Sequence, residues 1–156
     1  MIVVLYEPEI PPNTGNIARL CAAFQTELHL IEPLGFSLEN RYLKRAGLDY
    51  WPNVNMTVWP SWPEFARKQA GRRLVLATTK ASRPLPAFSF APEDGLVFGP
   101  ETRGLPDAIL SAWPDHIRIP MRTMEQGGAR SLNLSSACAI VLYTALASCG
   151  LLERFS

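Results

Sequence analysis

The sequence predicts an α/β fold: a single domain with a mainly parallel sheet flanked by helices. Three observations carry this expectation. Short apolar runs alternate along the chain with longer segments of helical period. The first run, Ile2–Tyr6, is apolar throughout, as a strand covered on both faces must be. A chain of 156 residues can build one real core and is too short for two.

After the first strand, Glu7–Pro12 carries three prolines and is expected neither to continue the strand nor to begin a helix. Asn13-Thr-Gly-Asn16 opens a helix whose Ile17, Leu20, Cys21 and Phe24 recur at helical spacing. Leu28–Ile31 is a second strand. Leu38–Ala46 is a short helix with Arg41, Lys44 and Arg45 on its polar side, closed by Gly47. Met56–Trp59 is a third strand, and Ser61–Ala70 a helix capped by Ser61 and ended by Gly71. Arg73–Thr79 is a fourth strand, Ser82–Asp94 a proline-rich loop, Leu96–Gly99 a fifth strand, Leu105–Ala112 a helix and Ile117–Met121 a sixth strand.

The C-terminal helix follows Ser131 and Asn133, small polar residues suited to accept from unpaired N–H groups at a helix start. One face carries Leu134, Ala137, Cys138, Val141, Leu142 and Ala145, and the other Ala139, Ile140, Tyr143 and Ala147. A helix apolar nearly all round has to be buried on more than one side, so a homodimer is expected. It is too short and too polar to span a bilayer.

Apolar content of 47% and charged content of 19% are ordinary for a soluble protein. The start Met-Ile-Val-Val-Leu-Tyr lacks the basic opening of a signal peptide. Cys21, Cys138 and Cys149 match no zinc or disulfide spacing and read as reduced thiols of a cytoplasmic protein without a metal. With a net charge of +1, any RNA contact must come from local basic clusters.

Parallel sheets bind ligands where the strands' C-terminal ends gather their loops. The unusual loops here are Glu7–Asn16, Gly99–Gly104 and Arg122–Ser131. In the first, Asn16 and Arg19 are one turn apart and either face one pocket together or belong to a capped helix with a surface arginine. In the second, Gly99 and Gly104 permit close backbone approach, while Glu101 and Arg103 are placed to pair with each other. There is no G-x-G-x-x-G or Walker A sequence, and His29 and His116 read as structural.

Taken together and in order, Asn13–Arg19, Phe98-Gly-Pro-Glu-Thr-Arg-Gly-Leu105, Ile119-Pro-Met121 and Ser131-Leu-Asn-Leu-Ser135 resemble the SPOUT family of knotted RNA 2'-O-methyltransferases. The start Leu5-Tyr-Glu-Pro-Glu-Ile-Pro-Pro-Asn-Thr-Gly-Asn16 is similar to the subgroup that methylates the wobble ribose of leucine tRNAs. The resemblance implies a deep C-terminal trefoil knot, which general topology rules disfavour. It also implies S-adenosylmethionine held in the knot near Ala77, Gly99, Glu101, Ile119 and Met121, with Ser131 beside it. Arg19 would then orient the reacting hydroxyl, Asn16 and Asn133 would hold the geometry, and Tyr143 would contact RNA.

The implied partner is a tRNA anticodon stem-loop, met by Arg41, Lys44, Arg45 and Arg130, with Lys80, Arg83 and Arg122 as further cations. Two other functions stay open: ribose methylation at another tRNA position or on ribosomal RNA, and a dimeric nucleotide- or RNA-binding module without catalysis. One departure concerns the eight residues between Met121 and Arg130, a longer loop than the resemblance leads one to expect.

Overall fold

The computed structural model describes residues 1–47 and 51–155. Six strands, β1 (Ile2–Tyr6), β2 (Glu27–Ile31), β3 (Met56–Trp59), β4 (Leu74–Ala77), β5 (Gly95–Phe98) and β6 (His116–Ile117), form one sheet in the order β3-β2-β1-β5-β4-β6. Every pairing is parallel, and β1 lies between β2 and β5, with Leu5 level with Leu30 on one side and Phe98 on the other.

Alternation along the strands divides the core in two. Val3, Leu5, Leu28, Leu30, Val75 and Leu96 face α1 (Pro11–Ala23) and α5 (Leu134–Ser148). Ile2, Val4, Leu74, Leu76 and Val97 face α3 (Trp62–Lys68) and α4 (Asp107–Ala112). The remaining helix, α2 (Arg41–Gly47), packs against α1.

Several boundaries differ from expectation, each for a local reason. The prolines do begin a helix: α1 starts at Pro11, because the first helical positions need no N–H donor and proline's fixed φ suits them. α2 starts at Arg41 rather than Leu38, since Ser37 and Asn40 hold the preceding backbone in turns by accepting from Glu39 and Tyr42 N–H. β6 ends at Ile117, with only one further bridge, Arg118 to Pro84, because Pro120 has no donor for a ladder. α4 starts two residues late, at Asp107, with Pro106 at its N-cap. The proline-rich stretch contains a short 3-10 turn at Leu85–Ala87.

α5 forms where expected. It buries Cys138, Val141, Leu142, Ala145 and Leu146 and leaves Ile140 and Tyr143 exposed. Tyr143 meets Phe24 edge-on, and Phe24 meets Phe155 in the same way. Burial between α1 and α5 pushes the Cys21 thiol up to about 12 and Cys138 well above its usual range, so neither is a nucleophile. His29 is buried beside Phe65 and accepts from the Trp59 indole N–H at 2.9 Å, which makes it part of the core. No helix among the described residues is long and apolar enough to cross a membrane.

Candidate active site

β4, β5 and β6 end at a cavity of about 590 Å³, a size suited to a small organic ligand. Its walls are the ends of these strands, residues 99–105, residues 130–134 and the start of α1 at Ile10 and Asn13. Ala77, Gly99, Glu101, Ile119, Met121 and Ser131 all lie on this wall, as do Arg130 and Asn133. Asn16, Arg19 and Tyr143 do not line it, nor do Arg41 and Arg45, and the side chain of Lys44 lies outside the described residues. Asn16 and Arg19 are exposed on α1, so within one chain the two do not face this pocket.

Three loops are bound together by a chain of side chains. Glu101 accepts from the N–H groups of Glu9 at 2.8 Å and Ile10 at 3.1 Å, and from the Asn13 amide at 3.3 Å. A carboxylate there satisfies donors that the start of α1 leaves without helical partners and complements the helix dipole. Asn13 in turn accepts from the Asn133 amide at 2.9 Å. Asn133 caps α5, its Oδ1 accepting from Ser135 N–H at 2.9 Å and Ser136 N–H at 3.4 Å.

The expected Glu101–Arg103 pair is not formed. Glu101 turns to the backbone of the first loop, and Arg103 bonds the carboxylate of Glu7 and lies near that of Glu9. Glu9 also accepts from the Thr102 hydroxyl at 2.9 Å. The first and fifth strand loops are therefore clamped twice over.

Asn13 is the residue that sequence reasoning missed. It reads as a helix opener, yet its side chain is buried and links Glu101 to Asn133. The available signal was a short polar side chain in the first turn of a helix that prolines had already begun.

The lining suits S-adenosylmethionine. Ile119 and Met121 line the cavity and make no backbone–backbone hydrogen bond among the described residues, so their N–H and C=O groups are available to a ligand. Gly99 leaves room where a Cβ would overlap the backbone of Gly104 and Leu105. Apolar Leu105, Leu134 and Val141 complete a surface fit for a purine ring. Among the described residues no cluster of three or more His, Cys, Asp or Glu side chains could hold a metal ion.

A parallel sheet whose strand-end loops enclose a small-molecule cavity defines a ligand-binding α/β protein of the kind that carries transferases. The chain belongs to the SpoU rRNA Methylase family, whose model matches residues 1–143. It is 52% identical over 145 residues to a tRNA (cytidine(34)-2'-O)-methyltransferase of Methylovorus glucosotrophus, covering 92% of both chains. The protein of that name from Escherichia coli is 48% identical, covering 92% of this chain and 90% of its own. A solved structure described as giving insight into the 2-OH methylation of C/U34 on tRNA superposes with a TM-score of 0.88 at 42% identity, covering 94% of this chain and 93% of that one.

Proposed function

We propose that this protein transfers a methyl group from S-adenosylmethionine to the ribose 2'-hydroxyl of the wobble nucleotide of leucine tRNAs. The observation that carries the reading is the cavity itself, closed by the three loops that Glu101, Asn13 and Asn133 tie together. It lies in a chain that matches wobble-nucleotide methyltransferases over nine-tenths of its length.

Ala77, Gly99, Ile119 and Met121 would hold the cofactor through backbone, with Ser131 beside them. Glu101 lines the same wall but acts through the first loop, which it fixes in place. When bound, the cofactor supplies a methyl carried on a sulfonium and already activated toward attack. The protein's task is therefore alignment, and proximity can supply up to about 7–11 kcal/mol of the barrier. A guanidinium is a cationic donor and no base, so Arg19 would orient the hydroxyl and adjoining phosphate. Asn133 acts by positioning α5, and Asn16 by placing the exposed face of α1 that carries Arg19.

The same reading includes a cytoplasmic homodimer, with the exposed face formed by Ile140, Tyr143, Phe24 and Phe155 covered by a second copy. That placement gives Tyr143 a role at the subunit boundary, near where RNA enters. Arg41, Lys44, Arg45 and Arg130 would meet the phosphates of the anticodon stem-loop, and the C-terminal segment would be threaded as a trefoil knot. Methyl transfer from labelled cofactor to total tRNA, followed by mapping of the modified nucleotide, tests the function. Label at the wobble ribose of leucine tRNAs is expected. Label elsewhere in tRNA, or only on ribosomal RNA as the family's description would suggest, would overturn the assigned position.

A further inference from the structure

The rim of the cavity carries one element that the proposed chemistry leaves without a task, the loop 122–129. Its two feet, Met121 and Arg130, both stand on the cavity wall. Between them the chain is folded on itself. Gln126 N–H donates to Thr123 C=O at 3.0 Å, Gly127 N–H to Met124 C=O at 3.0 Å, and Gly128 N–H to Thr123 C=O at 2.8 Å. The Gln126 side-chain oxygen accepts from Thr123 N–H at 3.2 Å. Gly127 takes a φ of +75°, and Gly128 passes so close to Arg122 that a Cβ would overlap its carbonyl. The legs of the loop touch at its base, so the turn above them is preformed.

This turn presents Met124, which at 57% exposure is the most exposed large apolar side chain among the described residues. Leu132 and Ile10, also exposed, stand on the cavity wall. Arg122 and Arg130 flank the turn in sequence, and neither forms an ion pair among the described residues. Two unpaired guanidinium groups around a single thioether suit single-stranded nucleic acid, whose phosphates take the cations and whose unstacked bases offer apolar faces. A protein partner would need a broader apolar patch than Met124, Leu132 and Ile10 provide.

We propose that the loop 122–129 selects substrate: Met124 packs on the face of a nucleobase neighbouring the methylated nucleotide, while Arg122 and Arg130 hold the flanking phosphates. The inference rests on the proposed RNA methylation and adds a specificity-determining residue to it. A polarizable, adaptable thioether accepts any base face, so the contact would report that a base is unstacked rather than which base it is.

The test uses the full chain and a synthetic anticodon stem-loop RNA, with and without abasic sites beside the wobble nucleotide. Met124→Ser should raise the KM for RNA roughly threefold to tenfold, the range open to one thioether–ring contact. Its kcat and its cofactor affinity by calorimetry should stay unchanged, and Met124→Leu should restore most of the loss. One abasic position should cost the unaltered protein the same factor and cost Met124→Ser nothing more. Deleting Thr123–Gly127, whose flanks already touch, should reproduce the KM shift with cofactor binding intact. An unchanged KM in both variants, or abasic losses that simply add to the Met124→Ser loss, would overturn the loop's role and leave methylation standing. No methyl transfer to any RNA by the unaltered protein would overturn the proposed function and this inference with it.

Discussion

The Asn133 side-chain amide donates to the Asn13 side-chain oxygen at 2.9 Å, joining the cap of α5 to the first turn of α1. Asn13 passes the connection on to Glu101, which holds the backbone of the first loop. Three segments distant in sequence thus share one line of hydrogen bonds at the cavity wall. Asn13 at the centre of the line is buried, whereas Glu101 is half-buried and Asn133 exposed, so water reaches both ends.

Replacing Asn13 by Ala should destabilise the fold by about 0.5–1.5 kcal/mol, since the Asn133 amide and a Glu101 oxygen each exchange a protein partner for water. Asn133→Ala should cost about 0.5–2 kcal/mol through loss of the α5 cap. The double variant should fall short of the sum by roughly 0.5 kcal/mol or more, as expected of residues in contact. Urea unfolding of the set measures this, and strict additivity would show that the relay is not cooperative.

Gly99 and Gly104 bound the same loop but should respond differently to alanine. At Gly99 an added Cβ overlaps the backbone of Gly104 and Leu105, so the loop itself must move. Gly104 has open space around it and a φ of +68°, so alanine there is only conformationally strained. Gly99→Ala should lower cofactor affinity at least about tenfold by reshaping the wall, an effect of roughly 1.4 kcal/mol. Gly104→Ala should cost about 1–2 kcal/mol of stability with affinity kept. Calorimetry on both variants separates the outcomes, and equal loss of affinity would contradict the packing argument.

The fold was legible wherever burial leaves a one-dimensional trace. Ile2–Tyr6 is a continuous apolar run because both faces of a parallel sheet are covered, Leu28–Ile31 is apolar but for the core residue His29, and α5 announces itself by a mostly apolar segment behind Asn133. Boundaries were less legible where proline acts differently by position. Pro11 and Pro12 start a helix, while Pro120 stops a ladder. The site was readable as three loops but not as a geometry. Whether Arg103 bonds Glu101 or Glu7 depends on where the first loop passes, and Glu7 lies 96 positions away. Asn13 was hidden for the same reason, since a polar residue's role is set by partners that only the closed sheet brings near.

His29 should make stability fall in mild acid. Burial lowers its pKa from the ordinary 6.5, Arg72 adds to this, and the Glu27 carboxylate at 3.4 Å works the other way. With the folded value depressed, the unfolded chain binds the proton more readily. Stability is therefore complete above the unfolded pKa near 6.5 and declines as pH drops below it toward the folded value. Protonation also removes the Nδ1 acceptor used by Trp59. The urea midpoint should drop more between neutral and mildly acidic pH for the unaltered protein than for His29→Gln. Equal drops would place the acid sensitivity elsewhere.

The uncovered face of α5 predicts the assembly. Ile140 and Tyr143 are 41% and 55% exposed, and the Phe24–Phe155 contact extends the patch beside them. If a second copy covers this face, Ile140→Asp should convert a dimer to a monomer, because it leaves a charge in an apolar interface. Sedimentation velocity at micromolar concentration gives the answer, and a monomeric unaltered protein would remove the dimer from the proposal.

Arg19 provides the sharpest test of the assigned chemistry. It is exposed on α1 and does not line the cavity of its own chain, whereas every residue proposed to hold the cofactor does. If it orients the ribose hydroxyl and adjoining phosphate, its removal should act on RNA and on turnover but not on the cofactor. Arg19→Ala should thus lower kcat/KM at least about a hundredfold, the scale of a lost positioning contact in a transfer reaction. Cofactor affinity should stay within about twofold, under half a kilocalorie per mole. Arg19→Lys should recover little, because an ammonium cannot span hydroxyl and phosphate with a planar fork. Activity and cofactor affinity falling together would place Arg19 in support of the cavity wall, and the catalytic assignment would then have to move.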